Sequence, residues 1–300
     1  MKRLAVLLGA AASLCPAFAA PPDAGAPGAE PLTRRYREGE VLVYAMKGSN
    51  ADDAGTLVYE AKCTGTVERD AAGRFVESFA WSDLVQNGAA VPLSDDARRF
   101  REILSRSPGV PPSMPDLRAA PRLTAPVADL LTFYADLFVA SMLGVSRAGG
   151  HRLLPSPQVN SWAVGEAMPI AEDAVDFDVA LTEVNEKERS ATLRARHVPP
   201  REIRVRLPSP WMKAPVGDAA NNWVQVTKNA DGSFAAEVGL EAFDVVIRLD
   251  LADGKILSAT MDNPVDVVRR ICADAALAQC GAPFRYRIHR QVELTLVEAR

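Results

Sequence analysis

Histidine is scarce in this 300-residue chain. His151, His197 and His289 are the complete set, and none is spaced with another His, Cys or carboxylate as metal ligands usually are. The motifs that cradle phosphates or raise nucleophiles are missing too: there is no G-x-G-x-x-G, P-loop, H-E-x-x-H, C-x-x-C or G-x-S-x-G. The nearest approach, Gly144-Val145-Ser146-Arg147-Ala148-Gly149, is one residue too long for a nucleophile elbow and follows a helical pattern rather than a strand. No cofactor and no metal are therefore implied. Positive charge is not in excess, since 34 Lys and Arg against 38 Asp and Glu give a net −4, which argues against a nucleic-acid partner. Long apolar runs are missing beyond the first twenty residues. The most apolar later segment, 126–145, carries Asp129 and Asp136, each costly in a bilayer core, so no membrane span is expected after leader cleavage.

The first twenty residues read as an export signal. Lys2 and Arg3 form a short basic region, residues 4–14 are uncharged, and Ala17-Phe18-Ala19 fits the small-x-small rule for cleavage between Ala19 and Ala20. Cys15 invites a lipoprotein reading, but Leu14 stands where such signals need a small residue. Cleavage removes two cations and no acid, taking the net charge from −4 to −6. Residues 20–35, rich in Pro, Gly and Ala, are expected to be a flexible spacer. The mature chain is then expected in the periplasm or outside the cell, as one β-rich domain over residues 36–300.

Two-residue periodicity dominates that domain. Leu57, Tyr59, Ala61, Cys63 and Val67 alternate with Glu60, Lys62, Thr64, Thr66 and Glu68, the pattern of a strand with one wet face. With residues 40–47 before it and 74–82 after a Gly73 turn, this forms an antiparallel meander. Ser94 caps an expected helix carrying Ala97, Phe100, Ile103 and Leu104. Pro126 opens a second, with Val127, Leu130, Leu131, Tyr134, Leu137, Phe138 and Met142 at helical spacing. This helical insert covers about 94–146. Alternation returns at 174–182 and 193–197. Matching apolar faces across the Glu186-Lys187-Glu188 turn sets Asp178 opposite Arg196 and Phe177 opposite His197. Further strands are expected at 202–207, 222–228, 233–240, 242–250, 255–261 and 284–297, with a C-terminal helix opening near Asn263-Pro264. So many antiparallel strands must curl to limit exposed edges. The fold class is mainly β: a strongly curved sheet, barrel or half-barrel, with two inserted helices and one near the C-terminus. A β-sandwich is the alternative.

Three cysteines remain after export, Cys63, Cys272 and Cys280, an odd number for an oxidising compartment. Cys272 and Cys280 are the favoured pair, although eight residues of continuous helix would hold them ~12 Å apart. The bond requires the chain to fold back, which Gly281 and Pro283 permit. Cys63 with either partner is the alternative, and otherwise it is a buried inert thiol.

Ligand-binding candidates are few. Trp162 and Trp223 lie at strand edges where an apolar cavity would open, with Leu130, Tyr134 and Phe138 on the second helix as a lid or plug. Arg194, Arg196, Arg204 and Arg206 recur on polar strand faces and are candidates for an anion site, or simply charged wet faces. Asp176 and Asp178 are accounted for by the wet face, and His197 by a hydrogen-bonded core position.

The segment Gly39-Glu40-Val41-Leu42-Val43-Tyr44 resembles the opening of certain β-rich periplasmic proteins of uncharacterised function, whose first strand begins G-E-x-L-x-Y. The resemblance implies a curved periplasmic sheet and brings no catalytic residues with it. The architecture is also similar, at the level of fold alone, to lipoprotein-carrier half-barrels. The leading expectation is a protein that binds a lipid or another apolar small molecule in a barrel-like cavity. The alternatives are an envelope scaffold that binds a partner protein without a cavity and, last, a hydrolase whose site is assembled from distant residues.

Overall fold

The computed structural model describes residues 33–105, 115–117, 120–142, 151–156, 161–164, 175–198 and 209–300. The signal sequence, residues 20–32 of the spacer, the strand expected at 202–207 with Arg204 and Arg206, and Ser146 lie outside them. In chain order the strands are β1 (Val41–Asp52), β2 (Gly55–Arg69), β3 (Phe75–Gln86), β4 (Ala89–Ala90), β5 (Glu102–Ser105), β6 (His151–Ser156), β7 (Ser161–Val164), β8 (Val175–Asn185), β9 (Ser190–Val198), β10 (Trp223–Lys228), β11 (Phe234–Glu241), β12 (Phe243–Asp250), β13 (Ile256–Cys272) and β14 (Phe284–Ala299). The α-helices among the described residues are α1 (Asp95–Arg99) and α2 (Thr124–Met142).

Hydrogen bonding orders the main path as β4-β3-β2-β1-β14-β13-β12-β9-β8-β6, and the sheet does not close on itself among the described residues. Its curvature follows from the core. One apolar cluster unites Phe79 and Trp81 of β3, Leu42 and Tyr44 of β1, Leu294 of β14, Ile247 of β12 and Val179 of β8 with Leu130 and Phe133 of α2. In a flat sheet, β3 and β8 would stand seven strand spacings, roughly 34 Å, apart. They meet one helix because the sheet curls around it as an open half-barrel. The helix sequence suits that place, since Val127, Leu130, Phe133, Leu137 and Ala140 are all buried, and a helix apolar on most sides must be enclosed.

The sheet forks at β13. This 17-residue strand pairs along one edge with β14, and along the other with two shorter strands in succession: β12 against 256–262 and β11 against 265–272. Beyond β12 the sheet continues through β9 and β8. Beyond β11 it continues through β10 and the parallel strand β7. The break between β11 and β12 falls at Ala242, whose N–H donates to the Pro264 carbonyl at 2.9 Å. Asn222 brackets the break, giving a hydrogen bond to the Glu241 carbonyl at 2.9 Å and taking one from the Glu241 N–H at 2.7 Å.

The C-terminal helix expected at Asn263-Pro264 is therefore corrected to the second half of β13. Asn263 caps nothing; its amide donates across the sheet to Glu241 Oε1 and the Ala242 carbonyl, both at 2.9 Å. Pro264 is tolerated inside a strand because it faces the fork, where pairing is already interrupted. Val265 and Val267 face one side and Val268 and Cys272 the other, the alternation of a strand. The helix after Ser94 is also shorter than expected. Ser94 caps it as read, accepting from Ala97 N–H, but it ends at Arg99, and 102–105 pair with the open edge of β3. The spacer boundary moves as well, because Arg34 is built into the fold with its side chain 7% exposed.

The expected 178/196 and 177/197 register is observed. Cys272 and Cys280 form a disulfide, and Cys63 is buried outside it. The chain leaves β13 at Cys272 and returns through a loop in which Ala273 N–H donates to the Gln279 carbonyl at 2.9 Å. Leu277 of that loop and Met212 from the preceding segment cover the convex side of β10 and β11.

Candidate functional site

At the fork end the half-barrel is not filled. A cavity of about 660 Å³ opens between the N-terminal turn of α2 and the concave face of β11, β13 and β14. Strand register builds its floor. Asn50 of β1, Arg290 of β14 and Asn263 of β13 are successive cross-strand partners, so three polar side chains lie in one row. Asn263 carries the row to Glu241 through its amide. From the helix side, Asp129 accepts from Tyr59 Oη at 2.7 Å through one carboxylate oxygen and pairs with Arg290 through the other. Tyr59 reaches across β1 because its partner there is Gly48, where any Cβ would run into the tyrosine ring.

This polar belt is strongly buried: Asn263 is 1% exposed, Asp129 4% and Glu241 8%. Burial works against the Arg290 cation, but Asp129 outweighs it and the guanidinium pKa is raised. Burial also raises the Glu241 carboxyl, with the Asn263 hydrogen bond opposing. Asn50 Oδ1 is buried with no hydrogen-bond partner among the described residues. Above the belt the wall turns apolar. Val265 and Ile288 are register partners, as are Val267 and Tyr286 in the next row, and Trp223 packs with them. The indole fits over Gly239, where a Cβ would stand 3.0 Å from the Trp223 ring and 2.9 Å from the Asp266 carbonyl. A rim follows, where Arg269 pairs with Glu237 and Asp53 and lies 4.7 Å over the Tyr286 ring.

Of the residues singled out in the sequence, Trp223 lines this cavity. Trp162 pairs in register with Gln225 of β10, itself a lining residue. Leu130 and Tyr134 are core residues packed inside the half-barrel rather than cavity walls, and Phe138 is half-buried. Arg194 donates to both carboxylate oxygens of Asp244, and Arg196 pairs with Asp178, so each guanidinium already faces a carboxylate. Asp178, expected on a wet face, is buried by comparison with its partner.

The belt residues Asn50, Asp129, Glu241, Asn263 and Arg290 were not picked out by sequence reasoning. Arg290 shares strand parity with Val292 and Leu294, so a cation on an apolar face was the available signal. Asp129 inside an apolar helix was another.

A second buried polar cluster occupies the opposite end. Arg34 donates to Glu40 Oε2 at 2.5 Å and lies 3.8 Å from Glu77, which accepts from Tyr134 Oη at 3.2 Å. Tyr44 Oη donates to the Ile256 carbonyl at 3.1 Å. Burial pushes Glu77 up to about 7, with Arg34 and Tyr134 opposing. Glu40 and Tyr44 of the G-E-x-L-x-Y segment thus belong to a cluster that ties residues 33–40 across this end.

No protein-family model matches the chain, and no curated protein matches it. A solved structure concerned with lipid–protein interactions in lipovitellin aligns over 89% of this chain at 8% identity, with a TM-score of 0.42. The chain spans about a quarter of that protein, 26% of its length. A likeness of this degree says nothing about ligand or activity.

Proposed function

We propose that the mature chain is an exported, periplasmic binding protein, not an enzyme, and that it holds a lipid or another apolar small molecule at the fork end of the half-barrel. The observation that carries this reading is the cavity of about 660 Å³, whose wall of Val265, Ile288 and Trp223 ends on a belt of buried polar groups. That volume is in the ~300–1,000 Å³ range of small-molecule sites, and an apolar wall with few convergent polar groups is their usual composition. The belt is assembled from four strands and a helix, so its geometry is fixed before any ligand arrives. Preorganisation of this kind lowers the cost of binding.

The test is native mass spectrometry of protein purified gently from the periplasm, followed by organic extraction. A mature mass starting at Ala20 with a stoichiometric apolar passenger is the expected result. Ala128→Phe, which fills the cavity from α2, should lose the passenger while keeping its circular dichroism spectrum. An empty protein that takes up no lipid probe would instead favour an envelope scaffold. In that case the exposed Ile271 and Phe284 near the rim, 49% and 52% accessible, become the first surface to examine.

A further inference from the structure

We propose that the cavity selects a single-chain amphiphile with an uncharged, hydrogen-bonding head over one with a carboxylate or phosphate head. The inference rests on the binding reading above and adds the chemistry of the ligand. Charge around the cavity is the first argument. At the belt two buried acids, Asp129 and Glu241, stand against one half-buried cation, Arg290, which is already paired with Asp129. At the rim Glu237 and Asp53 stand against Arg269, which is paired with both. Arg122 is exposed at the margin and engaged with Gln86. An anionic head would bring a further negative charge to either station where the cation is already engaged, and desolvating it there is expensive.

The second argument is hydrogen bonding. Asn50 Oδ1 offers an acceptor that nothing among the described residues satisfies. A head with a hydroxyl to donate, such as that of a monoacylglycerol, complements it. The third argument is shape. Beside the belt the cavity of about 660 Å³ has a single apolar wall, Val265 and Ile288 in register with Trp223 packed against them. That is room for one chain, with the head at the belt and the tail along this wall.

The experiment uses delipidated mature protein and three twelve-carbon probes below their micellar concentrations at pH 7.5: 1-monolauroylglycerol, laurate and dodecylamine. Binding is read by titration calorimetry and by native mass spectrometry. Monolauroylglycerol should bind at least tenfold more tightly than laurate. Glu241→Gln should narrow the gap to laurate to about threefold. If wild-type protein binds laurate as tightly as the neutral probe, the inference is overturned while the binding reading stands. This comparison needs no variant to fold. If none of the three binds, and long-chain phospholipid also fails, both readings fall together.

Discussion

Asp136 lies on α2 with 4% exposure, and its Oδ2 has no hydrogen-bond partner among the described residues. Burial alone pushes its pKa up to about 8, and Glu77 is pushed up to about 7 at the end tied by Arg34. In the unfolded chain both titrate near the ordinary carboxyl values of ~4. Between those limits the folded state holds more protons, so stability is full below about pH 4 for these groups and falls as pH rises towards 7 and 8. One such group gives a slope of up to ~1.4 kcal/mol per pH unit. Asp136→Asn removes one of the two titrations while keeping the shape. Urea melts from pH 5 to pH 9 should show the variant near wild type at pH 5 and more stable at pH 8 or above; parallel profiles would refute the assignment. Arg34 gives a complementary expectation. Arg34→Met leaves Glu77 buried without its cation and Glu40 with only the exposed Arg37, a change that typically costs about 3–5 kcal/mol. The loss should be larger at pH 8 than at pH 5, because Glu77 escapes the penalty by protonating.

Among the elements, the Cys272–Cys280 loop is the simplest to test. Its eight-residue separation predicts about 2.5 kcal/mol from restricting the unfolded chain. The paired Ser variant should lower the denaturant midpoint accordingly, without changing ligand affinity, because the loop covers the convex side of β11 and the cavity lies on the concave side. Element by element, the sequence was legible wherever a two-residue period ran without interruption. The β8–β9 register, the β1–β3 meander and the last strand all followed from apolar parity. Legibility failed where two local signals competed. Asn263-Pro264 has the chemistry of a helix start, and only the long-range bonds from Asn263 to Glu241 and Ala242 convert it to a fork in the sheet. The disulfide was recognised for its need of a reversal, although a strand rather than a helix delivers Cys272 to it. Trp223 was singled out from its place at a strand edge, and it lines the cavity. The belt was not, because Asn50, Arg290, Asn263 and Asp129 are 240 positions apart at their extremes (290 − 50) and meet only through register and helix docking.

At the scale of the whole molecule, α2 divides the inside of the half-barrel into two unequal parts. Towards the Arg34 end, side chains from β1, β2, β3, β12 and β14 fill the space against the helix. Towards the fork, the helix begins too late in the sheet to fill it, and the cavity is what remains. The fork itself makes this end separable: among the described residues β10 and β7 join the sheet only through β11, whereas the strands around the helix share one core. Segments with fewer buried apolar contacts open at lower free energy, so amides of β10 and β11 should exchange faster than those of β1 and β12 in the empty protein. A ligand that binds only the folded state adds RT ln(1 + [L]/Kd), ~2.7 kcal/mol at a hundredfold excess over Kd. If it sits against the belt and the wall above it, the extra protection should concentrate in β10, β11, residues 263–271 of β13 and residues 284–290 of β14. The β2–β3 pair should gain only what global stabilisation adds. Hydrogen exchange with and without 1-monolauroylglycerol separates the cases. Protection confined to the fork end locates the ligand in the cavity, whereas protection concentrated around α2 and β1–β3 would mean that the helix moves out and the ligand takes its place in the core.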